Sequence, residues 1–289
     1  MNTTANTPPS TIASALKMAE QRLSQCSDSA SIDARVLMEH VTGYSHADII
    51  RKNDQALSES QQSLFDELVA MRETGAPIAY ITGQREFWSM NFLVTPDTLI
   101  PRPETEILVE QALLRIPKDT EVTIADLGTG SGAIALAIAY ERPHARVIAT
   151  DASRLALETA RVNEERLGIG NVELRLGRWF GALGQDRCDV VVSNPPYVRE
   201  DDPHLSQGDV RYEPMTALVS GDDGLDAIRE IITDASNHLK PGGWLLLEHG
   251  FDQGEAVLGL MQSAGFVNVE TVGDLAGQDR VTLGQWVVS

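Results

Sequence analysis

A planar amino group could be gripped by four consecutive residues, Asn194, Pro195, Pro196 and Tyr197. Two successive prolines lack backbone N–H groups and fix φ, so they make a stiff turn. The Asn194 side-chain oxygen and the Pro195 carbonyl can each accept one proton of an –NH2 group, and the other two residues can contact its flat face. These four residues, called the Asn194 corner below, would catalyse mainly by orienting a nitrogen lone pair. A proline turn without function is the alternative.

A glycine-rich segment from Gly128 to Gly132 follows a short apolar run and precedes a helical pattern. Glycines at a strand-to-helix turn let the backbone approach a ligand closely, and the helix N-terminus offers free N–H groups to an anionic part of it. With Ala133 the segment also satisfies the dinucleotide fingerprint G-x-G-x-x-A. An NAD-binding site and a glycine turn that binds no ligand therefore both remain alternatives.

Two further residues follow predicted strands. Asp151 could accept both hydroxyls of a ribose, which NAD and S-adenosylmethionine share, or it could cap the helix that starts near Ser153. Trp179 could cover an adenine face or pack in the core. If the ligand is S-adenosylmethionine, the amino group held at Asn194 would face a methyl group on a sulfonium.

The second half of the chain alternates strand-like and helix-like stretches. We predict seven strands, at 122–127, 146–150, 172–176, 189–193, 244–248, 266–270 and 281–288, and intervening helices at 133–140, 154–167, 225–238 and 254–263. This pattern indicates an α/β fold with a mostly parallel sheet covered on both faces. The last two strands, joined without a helix, imply an antiparallel edge. Ligands bind at the carboxyl ends of such strands, where the residues above lie.

The first part of the chain reads as a helical bundle over residues 1–76, after a frayed tail. Ser31 and Ser45 are expected to cap the second and third helices, and Ser58 with Gln61 makes a capping box for the fourth. Residues 77–103 are expected to form a β-hairpin connector. In it the apolar residues from Ile78 to Ile81 are extended, and Gly83 and Asn91 occupy turns. Residues 104–289 form the sheet domain.

Composition limits the function. The chain has 289 residues, 42% of them hydrophobic, and a formal net charge of −19 from 23 basic and 42 acidic side chains, which suits two globular domains. That charge disfavours tight binding to bare nucleic acid, and it would favour a basic protein partner, although an acidic cytosolic enzyme needs no such partner. Two distant cysteines indicate neither a disulfide nor a metal site. No apolar run approaches the ~18 residues that span a bilayer, so we expect a cytoplasmic protein.

At these motifs the chain resembles S-adenosylmethionine-dependent methyltransferases that modify exocyclic or amide nitrogens, and more closely the release factor glutamine methyltransferase family. The similarity extends to the segments 85–88, 100–106, 208–214 and 247–250. It implies a seven-stranded Rossmann-like methyltransferase domain preceded by a helical domain that recognises the substrate. The implied substrate is the glutamine of the Gly-Gly-Gln motif in class-I peptide chain release factors, methylated at N5.

The resemblance also assigns roles. The methionine part of S-adenosylmethionine would be lined by Gly128, Thr129, Gly130, Ser131 and Gly132, the ribose by Asp151 and the adenine by Trp179. Asn194, the catalytic residue, would touch cofactor and substrate, and Asn194, Pro195, Pro196 and Tyr197 would hold the glutamine amide. One departure is Arg178, where related enzymes often carry an Asp, and this puts a polar contact to the adenine amino group in doubt.

Other interpretations compete with this one. An adenine-N6 DNA methyltransferase could use the same corner, but it needs a basic cleft or a target-recognition domain. An NAD-dependent oxidoreductase leaves the Asn194 corner unused, and a catalytically idle docking module is a third alternative. Glu248 and His249 are the nearest titratable pair, with a structural role equally expected, and residues 211–213 could form a lid. We expect a monomer that binds no nucleic acid directly.

Overall fold

The computed structural model describes residues 10–287, so the predicted tail over residues 1–9 and the strand position Val288 lie outside the described residues. The chain divides into two compact units. The first comprises the chain up to Gly83 together with Ser206–Tyr212, and the second comprises Gln84–Leu205 and the chain from Glu213 onward.

Helices build the described part of the first unit. They are α1 Ile12–Leu23, α2 Ala30–Thr42, α3 His46–Arg51, α4 Glu59–Glu73 and α5 Ile78–Thr82. The predicted capping box at Ser58 and Gln61 is present, with both of its hydrogen bonds, and Ser45 caps α3 as expected. Ser31 was the wrong cap for α2, because the helix begins at Ala30, two residues earlier than that cap predicts, and its N-cap is Ser29.

The prediction that Ile78–Ile81 would be extended was also wrong. Pro77 precedes a five-residue helix there, and Gly83 ends it in the left-handed region with φ of 69°. Ala79 and Ile81 are buried on it, and Ile81 belongs to the apolar core of the helical unit. Tertiary burial therefore decides the conformation of this short apolar run, against its strand-like composition.

A buried arginine organises the helical unit. Arg72 on α4 donates to Asp33 on α2 and to Asp209, with N···O distances of 2.8 Å in both pairs. The Tyr212 hydroxyl donates to the Thr74 carbonyl at 2.7 Å. These contacts hold the segment Ser206–Tyr212 against α4, so Tyr212, predicted as part of a lid, packs within the helical unit.

The second unit opens with the expected hairpin. Its strands are β1 Gln84–Phe87 and β2 Met90–Leu93, paired antiparallel. The turn is formed by Trp88 and Ser89, which adopt φ of 53° and 55°, and not by Asn91, which lies within β2.

The remaining strands form one seven-stranded sheet in the described part of this unit. They are β3 Thr123–Leu127, β4 Arg146–Asp151, β5 Val172–Leu176, β6 Cys188–Ser193, β7 Leu239–Glu248, β8 Val267–Gly273 and β9 Asp279–Gln285, in the order β5-β4-β3-β6-β7-β9-β8. Strands β3 to β7 are parallel and β9 is antiparallel to both of its neighbours, which confirms the mostly parallel sheet with an antiparallel edge region. The antiparallel strand is β9, which lies between β7 and the edge strand β8.

Helices cover both faces of this sheet. They are α6 Glu106–Arg115, α7 Ala133–Glu141, α8 Arg154–Leu167, α9 Asp226–His238 and α10 Gly254–Ser263. One apolar core contains α6 and α7 residues, and a second contains α9 and α10 residues. After β3 the sheet grows on one side through β4 and β5, and the next strand along the chain, β6, pairs with the other side of β3. The carboxyl ends of β3 and β6 therefore form a topological switch point. Leu127 and Ser193 end these strands as register partners, and the Ser193 hydroxyl donates to the Leu127 carbonyl at 2.6 Å.

Candidate active site

A cavity of about 740 Å³ lies in the second unit at the carboxyl ends of β3, β4 and β6. A volume in this range suits a small ligand or cofactor. Of the residues predicted from the sequence, the cavity is lined by Gly128, Thr129, Gly130, Ser131, Asp151, Trp179, Asn194 and Pro196. Three predicted residues, Gly132, Pro195 and Tyr197, are not among its lining residues. The structure therefore brings the glycine segment and the Asn194 corner to one cavity.

The glycine segment is a turn that other residues would strain. Gly128, Gly130 and Gly132 have φ of 75°, 57° and 85°, in the left-handed region that favours glycine. A Cβ added at Gly128 would lie 3.1 Å from Cζ3 of Trp179. The turn therefore presents bare backbone to the cavity, with an aromatic ring packed against it.

Asp126, in strand β3, holds the glycine turn through a hydrogen bond with Thr129. Its Oδ2 accepts a hydrogen bond from the Thr129 hydroxyl at 2.6 Å. The side chain is fully buried, and burial raises the pKa of the carboxyl from 3.8 to about 7, even though the Thr129 hydroxyl favours the charged form. A carboxyl of this kind makes the stability of the chain depend on pH near neutrality.

Because the pKa of Asp126 is raised in the folded chain, its contribution to stability is complete below its ordinary pKa of 3.8 and is lost as pH rises through about 7. We expect the unfolding free energy of the wild type to fall, relative to Asp126→Asn, by about 2 kcal/mol between about pH 5.5 and pH 8.5. This range avoids the isoelectric point near 4.6. Urea denaturation at both pH values measures the change, and a difference that is independent of pH would contradict it.

Asp151 holds two backbone N–H groups, and it is not the predicted cap of α8, because the N-cap of that helix is Ser153. Its Oδ1 accepts from the Ser153 backbone N–H at 2.8 Å, and its Oδ2 accepts from the Gly130 N–H at 2.9 Å. Burial raises the pKa of this carboxyl, and the backbone donors oppose that shift. Each carboxylate oxygen keeps a second lone pair, so the group can still accept two ribose hydroxyls from the cavity. The residues present therefore fit a nucleoside cofactor.

Trp179 and Arg178 form the adjoining wall of the cavity. Trp179 is half-buried and adopts φ of 46°, which turns its ring onto the glycine turn. Arg178 pairs with Glu230 at 2.5 Å, and its guanidinium lies 5.4 Å from the centre of the Trp179 ring. Since a guanidinium has no acceptor, the Arg178 side chain cannot accept from an adenine amino group.

The Asn194 corner starts directly after β6. The carboxamide Nδ2 of Asn194 donates to the Thr105 hydroxyl oxygen at 3.2 Å, and Thr105 also lines the cavity. The Tyr197 hydroxyl donates to Oε1 of Glu248 at 3.5 Å, behind the lining residues. Burial raises the pKa of the Tyr197 hydroxyl, so it stays protonated and acts as a donor.

Comparisons with known proteins agree with this architecture. Residues 14–83 match the protein-family model described as the PrmC N-terminal domain, and residues 104–208 match the Methyltransferase small domain. The chain is 51% identical to a release factor glutamine methyltransferase of Xylella fastidiosa over 254 residues, which cover 88% of this chain and 92% of the relative. It is 49% identical over 262 residues to the protein of the same name in Escherichia coli, covering 91% and 94% of the two chains. The chain belongs to the release factor glutamine methyltransferase family.

Solved structures share its fold. A methyltransferase from Pyrococcus furiosus superimposes with a TM-score of 0.53 at 18% identity, covering 77% of this chain and 98% of that one. Membership of the release factor glutamine methyltransferase family makes this chain a methyltransferase, so the oxidoreductase interpretation is wrong. Over residues 10–287, the structure contains no helix with the length and apolar character needed to cross a membrane.

Several residues that line the cavity were not singled out as site residues in the sequence. Thr105, Arg102 and Thr98 line the cavity from the segment before α6, and Pro214 and Ser220 line it from the loop before α9. Arg102 pairs with the buried Glu213 at 2.6 Å. The family resemblance over residues 100–106 and 208–214 includes Arg102, Thr105 and Pro214, whereas no signal in the sequence pointed to Thr98 or Ser220.

The titratable pair at the end of β7 separates into two environments. Nε2 of His249 lies 2.8 Å from the Thr282 hydroxyl, and its Nδ1 lies 2.8 Å from the Gly250 carbonyl oxygen. Burial lowers the pKa of this imidazole, so it is neutral and structural near pH 7. Glu248 is also buried, and burial raises the pKa of its carboxyl to about 7, with the Thr105 and Tyr197 side chains opposing the shift.

Proposed function

We propose that this enzyme transfers a methyl group from S-adenosylmethionine to the side-chain amide nitrogen, N5, of the glutamine in the Gly-Gly-Gln motif of class-I peptide chain release factors, and so modulates translation termination. The observation that carries the proposal is that the glycine turn and the Asn194 corner line one cavity. A cofactor held by one and an amide held by the other would be neighbours. The family membership supports the choice of glutamine in a release factor.

The residues of the cavity would divide the work. When bound, S-adenosylmethionine supplies an electrophilic methyl group. The glycine turn, with Thr129 and Ser131, would contact its methionine part, Asp151 would accept from the ribose hydroxyls, and Trp179 would cover the adenine. The Asn194 Oδ1 and the Pro195 carbonyl would each accept one N–H of the substrate amide.

This arrangement addresses the poor nucleophilicity of an amide nitrogen, whose lone pair is delocalised into the carbonyl. Asn194 Oδ1 and the Pro195 carbonyl would fix the directions of the two N–H bonds of the substrate amide. Pro196 would limit the position of the amide face. The catalytic contribution is then mainly orientation and the exclusion of water, with the proton leaving during or after methyl transfer.

The partner and domain assignments belong to the same proposal. The helical unit would contact the release factor, which is the protein substrate, and the enzyme would act as a cytoplasmic monomer without binding nucleic acid or a membrane. The acidic net charge of −19 supports a basic protein partner over bare nucleic acid.

Transfer of isotope from labelled S-adenosylmethionine tests this function. We expect label in a class-I release factor, and mass spectrometry should place one added methylene on the glutamine of its Gly-Gly-Gln peptide. A release factor with Gly-Gly-Glu at this motif is the matched control and should stay unlabelled, as should duplex DNA rich in adenine. Label in the DNA, or label in the protein at any other residue, would overturn the proposal.

A further inference from the structure

The Gln253 carboxamide joins three segments of the chain at the carboxyl end of the sheet. Its Oε1 accepts the Gly250 backbone N–H at 2.8 Å, in the loop that follows β7. Its Nε2 donates to the Tyr197 carbonyl oxygen at 3.0 Å and to the Asp223 carbonyl oxygen at 3.3 Å. Gln253 is 9% exposed, so water competes little for these contacts. A carboxamide has one acceptor oxygen and two N–H donors, and all three are used here.

These partners fix the orientation of the Gln253 side chain. Both groups that face Nε2 are carbonyl oxygens, which only accept, and the group that faces Oε1 is an N–H, which only donates. A carboxamide turned by 180° would lose all three hydrogen bonds. The Gln253 backbone N–H also donates to the Gly250 carbonyl at 2.9 Å, which closes the loop that carries the side chain. The structure thus presents a fixed N–H donor to the last residue of the Asn194 corner.

The Asn194 corner has few backbone groups by which the fold can hold it. Pro195 and Pro196 have no N–H, and the proposed function reserves the Pro195 carbonyl for the substrate amide. At the start of the corner, Ser193 pairs with strands β3 and β7. Without an anchor at the other end, the corner could swing about this strand end. The Tyr197 carbonyl, held by Gln253, is that anchor.

The chain beyond the corner is tied to the wall of the cavity. The Val198 N–H donates to the Leu218 carbonyl at 2.8 Å, and the Val198 carbonyl accepts from the Ser220 N–H at 2.9 Å. Ser220 lines the cavity. Because Gln253 also holds the Asp223 carbonyl in the same loop, one side chain keeps the corner and this wall together.

Gly224 shows how closely these groups approach one another. It follows Asp223 and adopts φ of 76°, in the left-handed region. A Cβ added at Gly224 would lie 2.3 Å from the Tyr197 carbonyl oxygen and 2.7 Å from Nε2 of Gln253. Any side chain there would push the donor and the carbonyl apart, so the hydrogen bond depends on glycine at this position.

We infer that Gln253 is a positioning residue, which holds the Tyr197 end of the Asn194 corner. The two acceptors of the corner, Asn194 Oδ1 and the Pro195 carbonyl, then stay aimed at the substrate amide. This inference rests on the proposed function and adds to it a residue that does not line the cavity. Orientation is the main catalytic contribution of the corner in that proposal, so a small displacement of the corner should slow methyl transfer.

Gln253→Glu tests the inference, because it keeps the acceptor for the Gly250 N–H and removes the donor that faces the two carbonyl oxygens. We expect kcat on a release factor to fall about tenfold, since a displacement of about 1 Å can cost about 10² in rate. The Kd for S-adenosylmethionine should stay within about threefold of the wild-type value. Calorimetric stoichiometry with S-adenosylmethionine counts the folded molecules, so kcat can be expressed per binding site. A merely structural role would lower the number of sites and leave kcat per site unchanged.

Asn171→Asp is the matched control. It makes the same chemical change at a carboxamide that lies outside the cavity lining and donates to the carbonyl oxygens of Ala139, Arg142 and Ala145. It should lower Tm and leave kcat per binding site within about twofold of the wild-type value. If kcat per binding site in Gln253→Glu is as high as in this control, the inference is overturned.

A substitution at Gly224 reaches the same contact from the other side. Gly224→Ala leaves Gln253 intact but crowds its hydrogen bond to Tyr197, and we expect kcat per binding site to fall by a similar factor of about ten. Gly168→Ala is the matched control, because Gly168 also has a positive φ, of 67°, but a Cβ there would approach no other group within 4 Å. It should lower Tm and keep kcat. Wild-type kcat per binding site in Gly224→Ala would overturn the inference.

A double variant and the wild-type rate complete the test. If both substitutions act on one hydrogen bond, Gln253→Glu with Gly224→Ala should be no slower than the slower single variant, and losses that multiply would overturn the inference. Absence of glutamine methylation by the wild type would overturn the proposed function and this inference with it. Glutamine methylation by the wild type together with unchanged kcat in Gln253→Glu would overturn the positioning role alone.

Discussion

Asn194→Ala should lower kcat on a release factor by about 10² or more, because it removes the acceptor that orients the substrate amide. The Kd for S-adenosylmethionine should change only slightly, since the glycine turn and Asp151 carry most of the cofactor contacts in the proposal. Single-turnover methyl transfer with saturating cofactor measures the chemical step directly. A rate within a factor of a few of the wild-type rate would remove Asn194 from the mechanism.

The control for this variant should be an asparagine whose role is structural. Asn171 donates through Nδ2 to the carbonyl oxygens of Ala139, Arg142 and Ala145, at 3.0 to 3.3 Å, and it does not line the cavity. Asn171→Ala should therefore lower Tm and leave the single-turnover rate near that of the wild type. If both variants lose activity equally, the loss at Asn194 reflects damage to the fold.

Much of the sheet could be predicted because its strands are short apolar runs separated by glycine, proline and helical periodicity. Strand β5 at Val172–Leu176 and helix α8 at Arg154–Leu167 have the predicted bounds. Two of the failures concerned short segments near the boundary between the two units. At Ile78–Thr82 and at the Trp88 turn, packing against residues distant in sequence outweighs local preference, and a local pattern carries no information on such packing.

The candidate site was predictable where its residues follow strands. In a parallel sheet all carboxyl ends share one edge, so the glycine turn, Asp151, Trp179 and Asn194 converge by topology alone. Thr105 reaches the same cavity from a segment before the first strand of the sheet. Its approach to Asn194 depends on how α6 packs. The site roles themselves stay predictions until variants are measured.

Asp151→Ala should raise the Kd for S-adenosylmethionine by about 10², because a charged acceptor of two ribose hydroxyls is lost and each such hydrogen bond contributes about 1.5 kcal/mol or more. The same carboxylate also holds the N–H of Gly130, so the glycine turn loses an anchor. Calorimetry on the purified variant measures the Kd, and kcat at saturating cofactor should fall much less.

The stability of the variant without cofactor distinguishes lost binding from lost structure. Burial raises the pKa of Asp151, which means that the folded chain pays a desolvation cost to keep this carboxylate charged. Removing it relieves that cost and offsets the loss of the two backbone contacts, so Tm without cofactor should change little while the rise in Tm on adding cofactor should largely disappear. Asp201→Ala removes an exposed carboxylate that pairs with Arg199 outside the cavity, and it should keep the full cofactor-induced rise. An undiminished rise in Asp151→Ala would exclude the ribose contact.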